Sequence, residues 1–151
     1  MYFRGHFYLS IDDKGRINLP SIFKKFLESV NQNKVVLTNY LSDGYRCIEG
    51  FSLADWEVFE SKLRSKSRFN PKIQKLENFY LSRSVECEVD GYGRILIPSY
   101  LRSYAGLGKE VTMTSSLWGF RIWDKRIWDL VIEQTEQQLA SDPSIFEEAD
   151  L

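Results

Sequence analysis

Hydrophobic positions in this chain alternate with polar ones over short stretches, then switch to helical spacing, and the switch happens twice. Residues 16–19 read Arg16-Ile17-Asn18-Leu19, with Ile17 and Leu19 on one side and Arg16 and Asn18 on the other, as in a half-buried strand. Pro20 ends that strand and is expected to open a helix at its first position. Ile22, Phe23, Phe26, Leu27 and Val30 follow at a spacing that lays one apolar stripe along a helix. The second occurrence reads Arg94-Ile95-Leu96-Ile97, then Pro98, then Leu101, Tyr104 and Ala105, with Gly106 or Gly108 to stop the helix.

Four further stretches read as strands: Val35–Thr38, Tyr45–Glu49, Val111–Thr114 and Phe120–Asp124. Helices are expected after them. Ser52 and Asp55 make a capping pair ahead of Leu53, Trp56, Phe59 and Leu63, and Ile127, Trp128, Val131 and Ile132 follow Asp124. Between these, Asn70-Pro71 opens a helix with Ile73, Leu76, Phe79 and Tyr80 on one face. The stretch from Ser141 to Leu151 is polar and acidic and is expected to be frayed or mobile. The class implied is α+β.

The two switches are copies of one unit at an offset of 78. Residues 11–21 are Ile-Asp-Asp-Lys-Gly-Arg-Ile-Asn-Leu-Pro-Ser and residues 89–99 are Val-Asp-Gly-Tyr-Gly-Arg-Ile-Leu-Ile-Pro-Ser. Six identities in eleven positions are a poor fit to chance. Asp12 and Gly15 fall at the first and fourth places of a tight turn, where Asp bonds its own backbone and Gly accepts a positive φ. Asp90 and Gly93 repeat that chemistry. The organisation expected is an N-terminal half over residues 3–51, connecting helices over 52–82, a C-terminal half over 83–126, and a helix with an acidic tail over 127–151.

Of the 151 residues, 43% are hydrophobic and 15% aromatic, enough for a core. Net charge is −1, which argues against nucleic acid until its distribution is considered. Arg4, Lys14, Arg16, Lys24 and Lys25 outnumber Asp12 and Asp13 near the start, and residues 62–83 are strongly basic, whereas residues 133–151 carry acids and no Lys or Arg. Local fields, not the total, attract phosphates. No apolar run approaches the roughly 20 residues of a membrane span, and the start lacks the apolar core of a secretory signal. Cys47 and Cys87 are far apart with no metal-ligand spacing, which fits a reduced, cytosolic setting and no metal or other cofactor. His6 is the only histidine, and neither a P-loop nor a dinucleotide fingerprint is present, so an enzyme is not expected. Glu86 and Glu88 share one side of a strand, better read as a solvated face than as a catalytic pair.

Two equal hairpins in one chain make a pseudo-two-fold unit that presents two turns side by side. Lys14 and Arg16 belong to the first turn and Arg94 to the second; a guanidinium donates bidentately to base edges and phosphates. An Arg four residues after an Asp can also simply pair with it, and the two readings coexist if Asp12 orients Arg16 and Asp90 orients Arg94. The rival is an interaction scaffold without DNA binding, favoured by the overall acidity and the acidic tail. Trp56, Trp118, Trp123 and Trp128 are expected in the core or at a subunit interface.

Phe3-Arg4-Gly5, then Asp12-x-Lys14-Gly15-Arg16-x-x-Leu19-Pro20-x-x-Phe23, then Asp90-Gly91-x-Gly93-Arg94-Ile95-x-Ile97-Pro98-x-x-Leu101-Arg102, resemble the MraZ family over nearly the whole chain. The resemblance implies two AbrB-like swapped-hairpin β-barrel halves, pseudo-duplicated and flanked by helices, and assembly of several subunits into a closed homo-oligomeric ring. It implies binding to double-stranded DNA at direct repeats in the promoter of the division and cell-wall gene cluster, as a cytoplasmic, nucleoid-associated regulator. The DNA surface it implies is Asp12, Lys14, Arg16, Asp90 and Arg94, with Arg4 from the Phe-Arg-Gly start. The sequence departs from the family pattern at Tyr2, at Lys24 in place of Arg, and at Tyr92 where the first turn has Lys14, which leaves the second turn less basic.

Overall fold

A computed structural model describes residues 4–151; Phe3 lies outside them. The chain is α+β. Its strands are β1 (His6–Ser10), β2 (Arg16–Asn18), β3 (Lys34–Ser42), β4 (Tyr45–Ser52), β5 (Val85–Glu88), β6 (Arg94–Leu96), β7 (Glu110–Ser115) and β8 (Gly119–Asp124). Its helices are α1 (Ser21–Ser29), α2 (Leu53–Arg64), α3 (Pro71–Leu76), α4 (Ser99–Ala105), α5 (Lys125–Ser141) and α6 (Ser144–Glu148), with a π-helical turn over Glu77–Leu81 continuing α3.

The first two strands do not pair with each other. β1 turns at Asp12–Gly15 into β2, but β1 joins β7 (His6 opposite Thr114) while β2 joins β6 (Ile17 opposite Ile95). In the second half β5 joins β3 (Lys34 opposite Glu88) and β6 joins β2. Each half therefore lends its leading strand to the other. The result is one antiparallel six-stranded sheet, in the order β1-β7-β8-β4-β3-β5, and a separate two-stranded ribbon, β2-β6. A pseudo-two-fold axis relates the halves, passing between β4 and β8 and through the Ile17–Ile95 pair.

The main core lies between the ribbon, α1 and α4 on one side and the sheet on the other. Ile17, Leu19, Ile95 and Ile97 face inward onto Leu37, Ile48, Met113 and Ile122, all buried. Each such side chain contributes about 1.5–3 kcal/mol of transfer free energy. Phe23 of α1 meets Phe120 of β8 edge to face at 4.9 Å. On the far face of the sheet a smaller cluster packs Val36, Phe51 and Trp56 against Leu53, Phe59 and Tyr80.

Pro20 and Pro98 stand one place earlier than the sequence pattern suggests, as helix N-caps, because their ψ values of 146° and 144° keep them extended. Gly106, at φ 62°, ends α4 as expected, and the Ser52 hydroxyl accepts the Asp55 N–H at the start of α2. The acidic tail, expected to be frayed, continues α5 to Ser141 and then forms α6. Trp56 and Trp123 are buried, while Trp118 is 38% exposed. Glu86 pairs with Lys34 at 3.7 Å on the solvated face of β5.

Candidate nucleic-acid interface

The two repeated turns share one geometry. In the first, the Gly15 N–H donates to the Asp12 carbonyl at 3.0 Å and Gly15 takes a φ of 89°. Asp12 Oδ1 accepts the backbone N–H groups of Lys14 and Arg16 at 3.0 and 2.9 Å, and Oδ2 accepts Arg16 Nε at 2.7 Å. In the second, Asp90 Oδ1 accepts the N–H groups of Tyr92 and Arg94, both at 2.9 Å, and Oδ2 accepts Arg94 Nε at 2.9 Å. Structural pairing and presentation therefore coincide: the carboxylate builds the turn with one oxygen and holds the guanidinium with the other. The backbone donation from Arg16, aided by its side chain, draws the Asp12 carboxyl down to about 2. Asp90 is lowered for the same reason, by Arg94.

The crossed ribbon then brings the two arginines together. Arg16 stands opposite Leu96 and Asn18 opposite Arg94, so these four side chains occupy the ribbon face away from the buried Ile17 and Ile95. Strand geometry separates the Arg16 and Arg94 Cα atoms by about 8 Å. Leu19 N–H to Gly93 O at 3.0 Å and Ile97 N–H to Gly15 O at 2.9 Å extend the ladder into both turns, so each turn is braced by the other half.

Two cations missed by sequence reasoning complete the surface. A Cβ on Gly15 would lie 2.8 Å from Arg102 Cζ, and one on Gly93 would lie 2.2 Å from Lys24 Cε. Lys24 and Arg102 are themselves 78 residues apart, so each helix sends its cation onto the opposite half's turn. The recurrence at the same offset was the available signal. Arg102 Nε also donates to Ile97 O at 3.0 Å.

The halves are not chemically equal. Lys14 is exposed and makes no ion pair among the described residues, whereas its counterpart Tyr92, 78% exposed, lies beneath the Arg94 guanidinium at 4.9 Å. Asn18 is matched by Leu96, which is 54% exposed. Arg4 is exposed two residues ahead of β1, at the end of that strand away from the first turn.

A family model described as "MraZ protein, putative antitoxin-like" matches residues 2–79 and again 80–148. The chain belongs to the MraZ family. Among curated proteins it is 39% identical over 134 residues to the "Transcriptional regulator MraZ" of Solidesulfovibrio magneticus, covering 88% of this chain and 86% of that one. It is 35% identical to the protein of the same name from Nitrosospira multiformis, with 87% of each chain covered. The corresponding Proteus mirabilis protein is 34% identical, with 90% of this chain and 92% of that one covered. The family is one of regulators, not enzymes. Among the described residues no helix is long and apolar enough to cross a membrane.

Proposed function

We propose that this chain is a sequence-specific, DNA-binding transcriptional regulator, acting as a repressor, that docks the β2-β6 ribbon into the major groove of double-stranded DNA. The observation that carries the reading is the ribbon face on which Arg16 and Arg94 lie diagonally across from one another, each gripped by its own Asp. A major groove about 12 Å wide admits a two-stranded ribbon. Arg16 and Arg94 suit guanine edges, Asn18 an adenine edge and Leu96 a thymine methyl, while Lys14, Lys24 and Arg102 suit flanking phosphates.

The inequality of the halves supports a non-palindromic target. Lys14, Arg16 and Asn18 of the first turn and strand correspond to Tyr92, Arg94 and Leu96 of the second, so a half-turn of the protein presents a different surface. Such a reader suits direct repeats, and the repeats we assign are those in the promoter of the division and cell-wall gene cluster, read on the nucleoid in the cytoplasm. One ribbon offers few contacts. Several copies in a closed ring raise the effective concentration at neighbouring repeats, adding about 10²–10⁴ to affinity where geometry permits. The face of α5 supports such an assembly: it has no buried residue, and Leu130 and Ile132 are 47% and 37% exposed.

The test is an anisotropy titration against the protein's own upstream promoter, at two salt concentrations, with wild type and Arg16→Ala. Tight, salt-sensitive binding that the still-oligomeric mutant loses supports the regulator. A folded oligomer that binds no promoter fragment at low salt points to the scaffold instead.

A further inference from the structure

On the far face of the sheet from the ribbon, a cavity of about 480 Å³ opens between α2, the π-helical turn and the β7–β8 hairpin. Its volume lies within the range of small-molecule sites. Phe51, Phe59 and Tyr80 wall it, with Phe59 edge to face against Tyr80 at 5.1 Å, and Trp118 stands at its mouth. π-helical turns are rare and concentrate at functional sites, and this one supplies Tyr80. Its placement is fixed by Thr38 Oγ1, which donates to the Tyr80 carbonyl at 2.7 Å.

The floor carries charge where a sheet face ordinarily carries none. Glu49 and Arg121 are direct cross-strand neighbours on β4 and β8. The Glu49 side chain is only 5% exposed, and its Oε2 stands 3.6 Å from Arg121 Nε, too far for a hydrogen bond. Both atoms are buried without a hydrogen-bond partner. Burial raises the Glu49 carboxyl, with the Arg121 charge opposing. Arg121 Cζ sits 4.0 Å over the Tyr40 ring. The two form an ion pair whose facing atoms, Glu49 Oε2 and Arg121 Nε, stay just short of a hydrogen bond, while the Arg121 side chain as a whole is 28% exposed; both atoms can bond a third group placed between or beside them.

The pair is neutral overall, so it does not call for an ion. It calls for a flat, uncharged group that donates and accepts along one edge, between aromatic walls. We propose that the cavity binds a guanine nucleotide, with the base N–H groups donating to Glu49, its carbonyl accepting from Arg121, and the phosphate at the mouth. Lys62, whose Nζ lies 5.4 Å from the Trp118 ring centroid, meets that phosphate. Adenine offers a ring-nitrogen acceptor where guanine offers its N–H, and it is rejected by Glu49. The site is independent of DNA reading, since it occupies the opposite face of the sheet.

The test is isothermal titration of the full-length protein with GMP, guanosine and AMP. The expected result is GMP binding at least tenfold tighter than AMP, a tenfold or greater loss for Glu49→Gln, and GMP weakened to the level of guanosine in Lys62→Ala. Lys62 is a surface residue, so that arm stands even if Glu49→Gln fails to fold. Equal binding of GMP and AMP, no binding of GMP at millimolar concentration, or a GMP affinity untouched by Lys62→Ala overturns the proposal.

Discussion

Asp12→Asn separates the two tasks of the turn carboxylate. Asparagine keeps the Oδ1 acceptor, so the N–H groups of Lys14 and Arg16 remain bonded and the turn survives, as Asx turns do. At the Oδ2 position it places an NH₂ group against Arg16 Nε, replacing a 2.7 Å ion pair with two facing donors. The pair is surface-accessible, 31% for Arg16 and 37% for Asp12, so melting is expected to shift by no more than a few degrees. The guanidinium, however, loses its fixed orientation and must be ordered on binding. Immobilising one such side chain corresponds to about a two- to tenfold loss in affinity for each engaged arginine. Loss of a negative charge beside the phosphates acts the other way on non-specific DNA. The variant is therefore expected to weaken on its promoter site and hold or tighten on unrelated duplex, which anisotropy competition at fixed salt measures as a falling specificity ratio. A variant with an unchanged ratio, or with equal losses on both duplexes, would refute the claim that Asp12 presents Arg16.

Gly93→Ala puts a side chain at φ 79° and displaces Lys24, and should cost about 1–2 kcal/mol in urea unfolding, whereas Gly91→Ala, in open space and without a positive φ, should be neutral. Gly50→Ala places a Cβ 2.1 Å from Cζ of the fully buried Phe120 and should lower stability by about 1–3 kcal/mol or more, read by thermal unfolding. In acid, Asp12 is held at about 2 against an ordinary 3.8, and Asp90 is also lowered, so between those values the unfolded chain binds more protons than the folded one. Their contribution is nearly complete above about pH 5 and is lost as pH falls toward 2; Asp12→Asn with Asp90→Asn should flatten that part of an acid-unfolding curve, and an unchanged curve would count against it.

Much of this architecture was legible before the structure. The turn at Asp12–Gly15, the inward Ile17 and Leu19 and the α1 stripe all follow from local chemistry and period. Strand partnership did not, because the same turn serves a closed hairpin and a crossed one equally well; only the tertiary fit of Ile17 onto Ile95 decides between them. Lys24 and Arg102 were visible as a pair at the repeat offset, but their approach to the turn glycines depends on the crossing. Leu96 stands where the first copy has Asn18, and its exposure follows from the register with Arg16. Glu49 drew no reading beyond its place in a strand, since a sequence does not reveal that Arg121 stands opposite it.

The exchange of leading strands also governs when this protein can exist. His6 pairs with Thr114, more than a hundred residues downstream, and Arg16 with Leu96. At about 5–20 residues per second of synthesis, β1 waits roughly 5–20 s for its partner strand to be made. During that interval the first half presents an unpaired apolar strand and half a ribbon. The ribbon cannot close until Leu96 has been made, about two-thirds of the way along the chain, and the sheet cannot take in β1 until β7 follows.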